Sequence, residues 1–251
     1  MNDENNPACR LLQIPDHRKR WRRTTQFLRI GKRRDINDDM NFWNERYGNP
    51  GQSYGTAPND FLRLNFGSLP KGRVLSLCEG EGRNAVFLSR QGYEVLAVDG
   101  STVGLQNAEK FAIQQGVKIK TEVADMADYK IQPGYWDAVV LIFAHLPGPI
   151  RKRIHQQAVL GLRGGGVLLL ESFAPGQLAH NTGGPKNLDL LPSLAQLQAE
   201  LQGLEFIVAQ EIQRDVHEGM YHTGHAEVVQ IIGRRKLCGP WRRGVSVRIG
   251  N

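Results

Sequence analysis

Cysteine is scarce in this 251-residue chain, and its three cysteines, Cys9, Cys78 and Cys238, stand far apart. That excludes a disulfide-stapled scaffold and a paired-cysteine metal centre, and it sets a reducing, cytoplasmic environment as the expectation. Long hydrophobic runs are missing as well. The longest, Ala138-Val-Val-Leu-Ile-Phe-Ala144, has the length of a core strand and falls far short of a membrane span. No internal repeat or low-complexity tract is present. Arg22-Arg23 before Phe27-Leu28 has the wrong spacing for a twin-arginine export signal, because Gly31-Lys-Arg-Arg-Asp35 stands where an apolar region belongs. The acids among the first residues likewise oppose a transit peptide.

Acidic residues are outnumbered, giving a formal charge of +7. The excess is confined to the ends: residues 1–39 carry +4 and residues 234–251 carry +6, while 40–233 carry −3. A basic stripe with interleaved aromatics is absent from the central part, so nucleic-acid binding by the core loses support. Non-specific contact through the basic tails stays open. The chain divides into a basic, polar leader expected to be disordered (1–39), a globular domain (40–236) and a basic tail (237–251). Its length suits one α/β domain with a well-buried core. The oligomeric state is not written in these patterns.

From residue 74 onward, strand-like and helix-like segments alternate, which predicts a mostly parallel sheet with helices on both faces. Strands are expected near 74–78, 94–98, 118–123, 136–143 and 166–172, with helices near 83–91, 101–115, 149–161 and 192–201. Gly92, Gly116 and Gly164-Gly-Gly166 are read as helix ends and turns. Two further strands, Leu204–Ile212 and His225–Gly233, are joined by the loop Gln213–Gly224 with no helix between them. They are expected to pair antiparallel. The predicted architecture is therefore an α/β, Rossmann-like, seven-stranded and mostly parallel sheet that ends in an antiparallel hairpin.

The most telling stretch is Val74-Leu-Ser-Leu-Cys-Glu-Gly-Glu-Gly-Arg-Asn84, continued by Glu94-Val-Leu-Ala-Val-Asp99. It reads as strand, glycine turn, helix and a second strand ending in an acid. Gly80 and Gly82 remove side chains where backbone must approach a ligand, and a helix begins just after them. Asp99 lies where a carboxylate accepts hydrogen bonds from ribose hydroxyls, the alternative being a solvated strand end. An adenosine-bearing cofactor follows. Gly80-x-Gly82-x-x-Ala85 also satisfies a loose nicotinamide fingerprint, but the antiparallel finish is foreign to dinucleotide dehydrogenases.

With its flanking segments, the chain resembles class I methyltransferases that use S-adenosylmethionine, and within them the small bacterial tellurite-resistance and thiopurine methyltransferase-like group. Phe42-Trp-Asn-Glu-Arg-Tyr47, Tyr54-Gly55, Pro58-Asn-Asp-Phe-Leu62, the glycine turn, Ala97-Val-Asp99, Glu218-Gly219 and His222-Thr-Gly-His225-Ala-Glu-Val-Val229 carry the resemblance. It implies that Gly80 and Gly82 face the methionine moiety and that Asp99, with Gly100 beside it, holds the ribose. Asp125 and Met126 would contact the adenine, with a turn acid as the alternative for Asp125. Phe143 and Ala144 would border cofactor and substrate. Asn84 either caps its own helix or lines the cofactor carboxylate. Trp43, Tyr47 and Tyr54 would belong to a lid, or simply pack. The chain departs from the superfamily at Ser76, where an acid is usual, and at Cys78, where glycine is usual; Glu79 or Glu81 is the candidate to supply the missing carboxylate.

His145, at the end of the fourth strand, is the candidate catalytic residue. His222 and His225 lack metal-ligand spacing and any cysteine pair, so no metal is expected and a wall or turn role is assigned to them. Arg151-Lys-Arg153 is read as a solvated helix face. The loop Phe173–Leu191 follows the fifth strand and is expected to shape the substrate pocket. The expected activity is methyl transfer to a small acceptor, soft or anionic, since such a nucleophile needs little help from a base. A nicotinamide-dependent oxidoreductase and a non-catalytic cofactor-binding module are the competing readings.

Overall fold

Seven consecutive buried residues, Trp136–Ile142, explain why the chain folds around its middle: a strand apolar on both sides must be covered on both faces. This strand, β4, lies at the centre of a sheet seen in a computed structural model that describes residues 36–49 and 51–236. The helices are α1 (Ile36–Tyr47), α2 (Asp60–Asn65), α3 (Arg83–Arg90), α4 (Thr102–Gln114), α5 (Gly148–Gly161) and α6 (Leu194–Glu200). The other strands are β1 (Arg73–Leu77), β2 (Glu94–Asp99), β3 (Lys120–Val123), β5 (Leu162–Phe173), β6 (Leu204–Glu218) and β7 (His222–Arg235). Their order across the sheet is β3-β2-β1-β4-β5-β7-β6. All neighbours from β3 to β5 run parallel, and β7 runs antiparallel to both β5 and β6. The predicted architecture is the one observed.

Residues alternate between the two faces with the strand period of two. Val74, Ala138, Val140 and Leu169 pack with Leu62, Leu88 and Leu105 from the α2, α3 and α4 side. Leu75, Val139, Leu141 and Leu168 pack with Ile154, Ala158 and Leu197 of α5 and α6. Strand order reverses at the β1/β4 boundary, where open α/β sheets collect their ligands outside the carboxyl ends of the strands. Both strands end there in a left-handed residue that is not glycine, Cys78 with φ 53° and Phe143 with φ 51°. Such backbone costs about 1–3 kcal/mol and concentrates at functional sites.

Three expectations are corrected. The segment Gln213–Gly224 is not a loop: β6 and β7 pair without interruption to Glu218↔His222, leaving only Gly219–Tyr221 as the turn. Gly224 looks like a loop residue but sits in the strand because Thr182 presses on it; a Cβ there would come within 2.5 Å of Thr182 Cγ2. Gly164–Gly166 are likewise in strand β5 rather than in a turn. The Arg151–Arg153 face is not solvated as a whole. Arg151 is buried, bonded through Nη2 to Glu200 Oε1 at 3.1 Å, and Glu200 Oε2 lies 2.7 Å from Nδ1 of buried His155. Arg153 donates to the carbonyls of Tyr129 and Met126.

The boundary after residue 39 falls inside α1, which begins at Ile36, and the boundary at 237 lies just beyond the described residues. Among the described residues, no helix is long and apolar enough to cross a membrane.

Candidate functional site

The glycine turn after β1 is held from below by two carboxylates. Asp99 receives the Gly80 amide at Oδ2 (2.9 Å) and the Ser101 amide at Oδ1 (2.7 Å), tying the end of β2 to the turn. Glu79 accepts the Ser76 hydroxyl at one oxygen and the amides of Asn84 (3.0 Å) and Ala85 (2.8 Å) at the other. It thereby caps α3, whose N-cap position is Gly82 and has no side chain to do so. Of the two acids considered for the departure at Ser76, Glu79 is the one whose carboxylate lies against that position. Burial pushes both acids up: Glu79 against its bonds to Ser76 and the α3 amides, Asp99 against the bonds from Ser101 and Gly80. The buried Cys78 thiol is also pushed well above its ordinary range, by burial and then by Asp99 and Glu79.

Glycine is required where the turn is crowded. A Cβ at Gly82 would lie 2.5 Å from the Ala108 Cβ, and one at Gly80 would lie 2.6 Å from the Tyr47 hydroxyl. Tyr47 of α1 thus lies across the turn and is buried. Its phenol is pushed well above the usual range by burial and by Asp99. Trp43 stacks on Tyr47 one helical turn earlier, with ring centroids 5.6 Å apart. Glu81 points the other way: its Oε2 accepts the Ser53 amide (2.7 Å) and its Oε1 accepts Asn107 Nδ2 (3.3 Å).

That Ser53 bond begins a strap, residues 51–59, that runs from the glycine turn to the tip of the β6–β7 hairpin. Ser53 O receives the Met220 amide at 3.1 Å. The strap and hairpin backbones touch so closely that a Cβ at Gly219 would come within 2.5 Å of Gly55 N. Asn59 fastens the far end. Its amide donates to Asn84 Oδ1 (2.9 Å), and its side-chain nitrogen donates to Glu171 (2.5 Å) and Glu218 (2.7 Å). Asn84 therefore neither caps its helix nor turns its oxygen outward. Arg214 bonds Glu171 and Glu218, Arg83 bonds Glu218 at 2.5 Å, and Gln230 bonds Glu171 at 2.7 Å. Two carboxylates and two guanidinium groups balance in a buried network, as burial of charge demands.

Above this network lies a closely packed cluster of rings, the ring chamber, at the carboxyl ends of β4 and β5. His222 is surrounded by Tyr54 (4.6 Å), Phe143 (4.8 Å) and Phe173 (5.0 Å), measured between ring centroids. His145 stacks nearly flat on Phe173 at 5.7 Å and lies 6.5 Å from His222. Both ring nitrogens of His145, and Nδ1 of His222, are buried without a hydrogen-bond partner. Burial, with His222 beside it, drives the His145 imidazole down to about 3. Gly183 and Gly184 close the chamber from the loop after β5; a Cβ on either would strike His222 or Phe173.

The residues singled out in the sequence fall into three places. Glu79, Gly80, Gly82, Asp99, Gly100 and Tyr47 surround the glycine turn. Phe143, His145 and Tyr54 border the ring chamber, while Ala144 packs on the α5 and α6 side with Leu141 and Leu197. Asp125 and Met126 stand apart beyond β3: Asp125 Oδ1 accepts the Ala127 amide (2.7 Å) in a tight turn, and Met126 is buried in the core. His225 lies outside the chamber, 3.3 Å from the Asp215 carboxylate on the exposed part of the hairpin. Asn59, Glu171 and Glu218 were not anticipated as site residues, whereas His222 was expected in a wall or turn and the loop beginning at Phe173 around the pocket. Glu171 did carry a signal, an acid inside the apolar run Val167–Phe173. Among the described residues no cluster of three His, Cys, Asp or Glu is placed to hold a metal.

Comparison with known proteins matches this geometry to a reaction class. A family model described as a methyltransferase domain matches residues 74–166, from β1 into β5. No curated protein sequence matches the chain. Among solved structures, a protein described by the conversion of a disulfide bond into a thioacetal group during echinomycin biosynthesis superimposes with a TM-score of 0.64 at 20% identity, covering 80% of this chain and 92% of that one. TehB from Haemophilus influenzae gives 0.59 at 18% identity over 78% and 67%. A protein of Methanosarcina mazei described as a SAM-dependent methyltransferase gives 0.57 at 16% identity over 69% and 97%. The sheet of this chain ends in the antiparallel β5–β7–β6 arrangement, a finish foreign to dinucleotide dehydrogenases. Residues 74–166 thus match a methyltransferase domain, and the described chain shares the fold of these solved structures.

Proposed function

We propose that this protein transfers a methyl group to a small acceptor presenting a soft nucleophile, a thiol, chalcogen or halide in neutral or anionic form. The ring chamber carries this reading. It offers aromatic faces and neutral imidazole, and it holds no free carboxylate, because Glu171 and Glu218 are saturated by Arg83, Arg214, Asn59 and Gln230. A cationic amine finds no counter-charge there, whereas a polarisable atom packs well against the rings of Phe143, Phe173 and Tyr54.

The residues at the glycine turn fit the cofactor. Gly80 and Gly82 expose backbone where side chains are sterically barred, and the Asp99 oxygens retain lone pairs for the ribose hydroxyls. Tyr47, stacked by Trp43, roofs the methionine end. Asp125 keeps one oxygen for the adenine amino group, and Met126 backs the ring. Phe143 stands between the cofactor side and the chamber. When bound, S-adenosylmethionine supplies an electrophilic methyl group on a sulfonium. The protein's part is to align the acceptor with that methyl group and exclude water, which the strap does by sealing turn and chamber together. The sparse cysteines fit a reducing compartment, and we place the activity in the cytoplasm. The acidic core argues for a small molecule rather than nucleic acid as substrate.

Calorimetry with S-adenosylmethionine, S-adenosylhomocysteine and NAD tests the cofactor side, with binding expected for the first two. Binding of NAD alone overturns the reading. An acceptor panel of thiols, selenite, tellurite and halides, read by S-adenosylhomocysteine release, tests the acceptor side. Turnover confined to amines or alcohols sinks the soft-nucleophile assignment, and no turnover at all leaves a non-catalytic cofactor-binding module standing.

A further inference from the structure

A cleft of about 320 Å³ opens on the outer side of the ring chamber, between the loop after β5 and the tip of the β6–β7 hairpin. Asn181–Gly184 and Lys186 form one wall, and Met220, Tyr221 and Thr223 form the other. The walls are fastened to each other. Thr182 O receives the Thr223 amide at 3.1 Å, and Thr182 Oγ1 donates to the His225 carbonyl at 2.5 Å. Gln177 Nε2 braces the loop from behind through Gly183 O and Thr182 Oγ1, both at 3.1 Å. The cleft is therefore formed before any ligand arrives, and its size is that of a small-molecule site.

Its charge is one-sided. No Asp or Glu lines it, whereas Lys186 does. Lys186 Nζ donates to the His180 carbonyl (2.7 Å) and to Asn181 Oδ1 (3.4 Å), two neutral oxygens that leave its charge unmatched and a third N–H to spare. Asn181 turns its oxygen to Lys186 and so keeps its amide nitrogen as a further donor. Arg46 adds a second cation behind Tyr221, with its guanidinium carbon 4.3 Å from that ring centroid and Nη1 bonded to the Tyr54 hydroxyl at 2.9 Å. Among the described residues neither cation pairs with a carboxylate. Met220, 80% exposed, and the Tyr221 ring supply apolar surface beside these donors. Such a lining suits a small organic anion, its carboxylate on Lys186 and its carbon chain against Met220 and Tyr221.

We propose that this cleft docks the carboxylate of a small organic acid, and that this acid is the methyl acceptor. The second clause rests on the methyl-transfer reading above and narrows the acceptor to a soft nucleophile carried on an anionic chain, as in a mercapto acid. Position supports it. Gly183 and Gly184 have the cleft on one side and the rings on the other: a Cβ on Gly183 would lie 3.0 Å from His222 Cδ2, and one on Gly184 2.8 Å from Phe173 Cδ2. The partition there is bare backbone. From Tyr221 inward, Tyr54 follows at 5.9 Å and Tyr47 a further 6.4 Å on, and Tyr47 lies over Gly80. The cleft holds the acceptor and takes no part in the transfer step itself.

Titration with 3-mercaptopropionate and with its uncharged amide, at constant ionic strength and followed by backbone amide NMR shifts, tests the site without cofactor. Saturable shifts confined to residues 181–186 and 220–223 are expected. Affinity should be lower by about tenfold or more for the amide, and likewise for the acid in Lys186→Met, as loss of a charged hydrogen bond implies. Lys186→Arg keeps the cation and should keep most of the affinity. Shifts elsewhere, equal affinity for acid and amide, or the same loss in Lys186→Arg as in Lys186→Met overturns the site. With S-adenosylmethionine present, kcat/KM should favour the acid over the amide by about tenfold or more, and Lys186→Met should abolish that preference. Equal kcat/KM for the two thiols in the unaltered protein overturns the acceptor role alone. Absence of S-adenosylhomocysteine release with any acceptor fells the methyl-transfer reading and the acceptor role together, and the mapped shifts then decide the binding site by themselves.

Discussion

The two halves of the site are built on opposite principles. The half proposed for the cofactor is backbone: a strand, two glycines, a helix start and the acid ending the next strand, all within residues 74–99. The acceptor half is side chains gathered from everywhere. Asn59 reaches Glu171 across 112 residues of sequence and Glu218 across 159, and Arg83 reaches Glu218 across 135. A backbone site can be conveyed by spacing alone, since glycine and a terminal acid do the same work in any such sheet. A side-chain site depends on which distant segments the fold happens to bring together, and that is where one methyltransferase differs from another.

This contrast breaks first at Glu171. Its removal in Glu171→Ala leaves Arg214 and Asn59 buried without their partner, and stability measured by urea unfolding should fall by about 3–5 kcal/mol. A loss below about 1 kcal/mol would show that the network is not the structural anchor of the acceptor half. The next effect is one of pH. His145 in the folded state takes its proton only near about 3, against 6.5 for an unconstrained imidazole, so the unfolded chain binds the extra proton between those values. Stability therefore falls as pH drops below 6.5, by up to about 1.4 kcal/mol per pH unit for one such group.

Glu218 works in the same direction at lower pH. Burial raises it, but His222, Arg83 and Arg214 prevail and hold its carboxyl down to about 2, so its contribution, complete above the ordinary 4.5, is lost between 4.5 and 2. Melting curves from pH 7.5 to 5 should flatten in His145→Phe; an unchanged slope would place the titration elsewhere.

On the cofactor side, Asp99→Ala should weaken S-adenosylhomocysteine binding by about 1–3 kcal/mol, the worth of hydrogen bonds to a charged group, with the unfolding midpoint moving far less than in Glu171→Ala. An unchanged dissociation constant would mean that the ribose lies elsewhere. Tyr47→Phe should cost the least, about 0.5–1.5 kcal/mol of cofactor affinity through one lost hydroxyl. A larger loss in Tyr47→Phe than in Asp99→Ala would shift the weight of recognition from the turn to the roof.

The same division governs what could be read from the chain before folding. Strands β1 to β5 and helices α3 to α5 announce themselves through apolar runs, glycine punctuation and periodicity, because each is a local solution to burial. Glu79 was visible as a candidate replacement for the acid missing at Ser76, its partner lying only three residues away. The hairpin was cut short because its outer half turns only Val216 and Ala226 into the core, too few apolar residues for alternation to signal a strand; cross-strand pairing holds it instead. Arg151 looked solvated because Glu200, which neutralises it, sits in a different helix. Asp125 and Asn84 were each open to a structural and a ligand role, and both prove to have at least one oxygen committed to structure.

Strand β5 stops pairing at Phe173↔Val228, so the outer hairpin, from Gln213 to Glu227, is fastened by the strap, by the loop after β5 and by the Arg214–Glu171 pair. A wall fastened through loops and side chains can be changed without disturbing the register of seven strands. Lineages sharing the fold are free to lengthen, shorten or repopulate the hairpin tip and so change which molecules are methylated, while the machinery that holds the methyl donor stays untouched. Substrate diversification then need not consume the stability of the core.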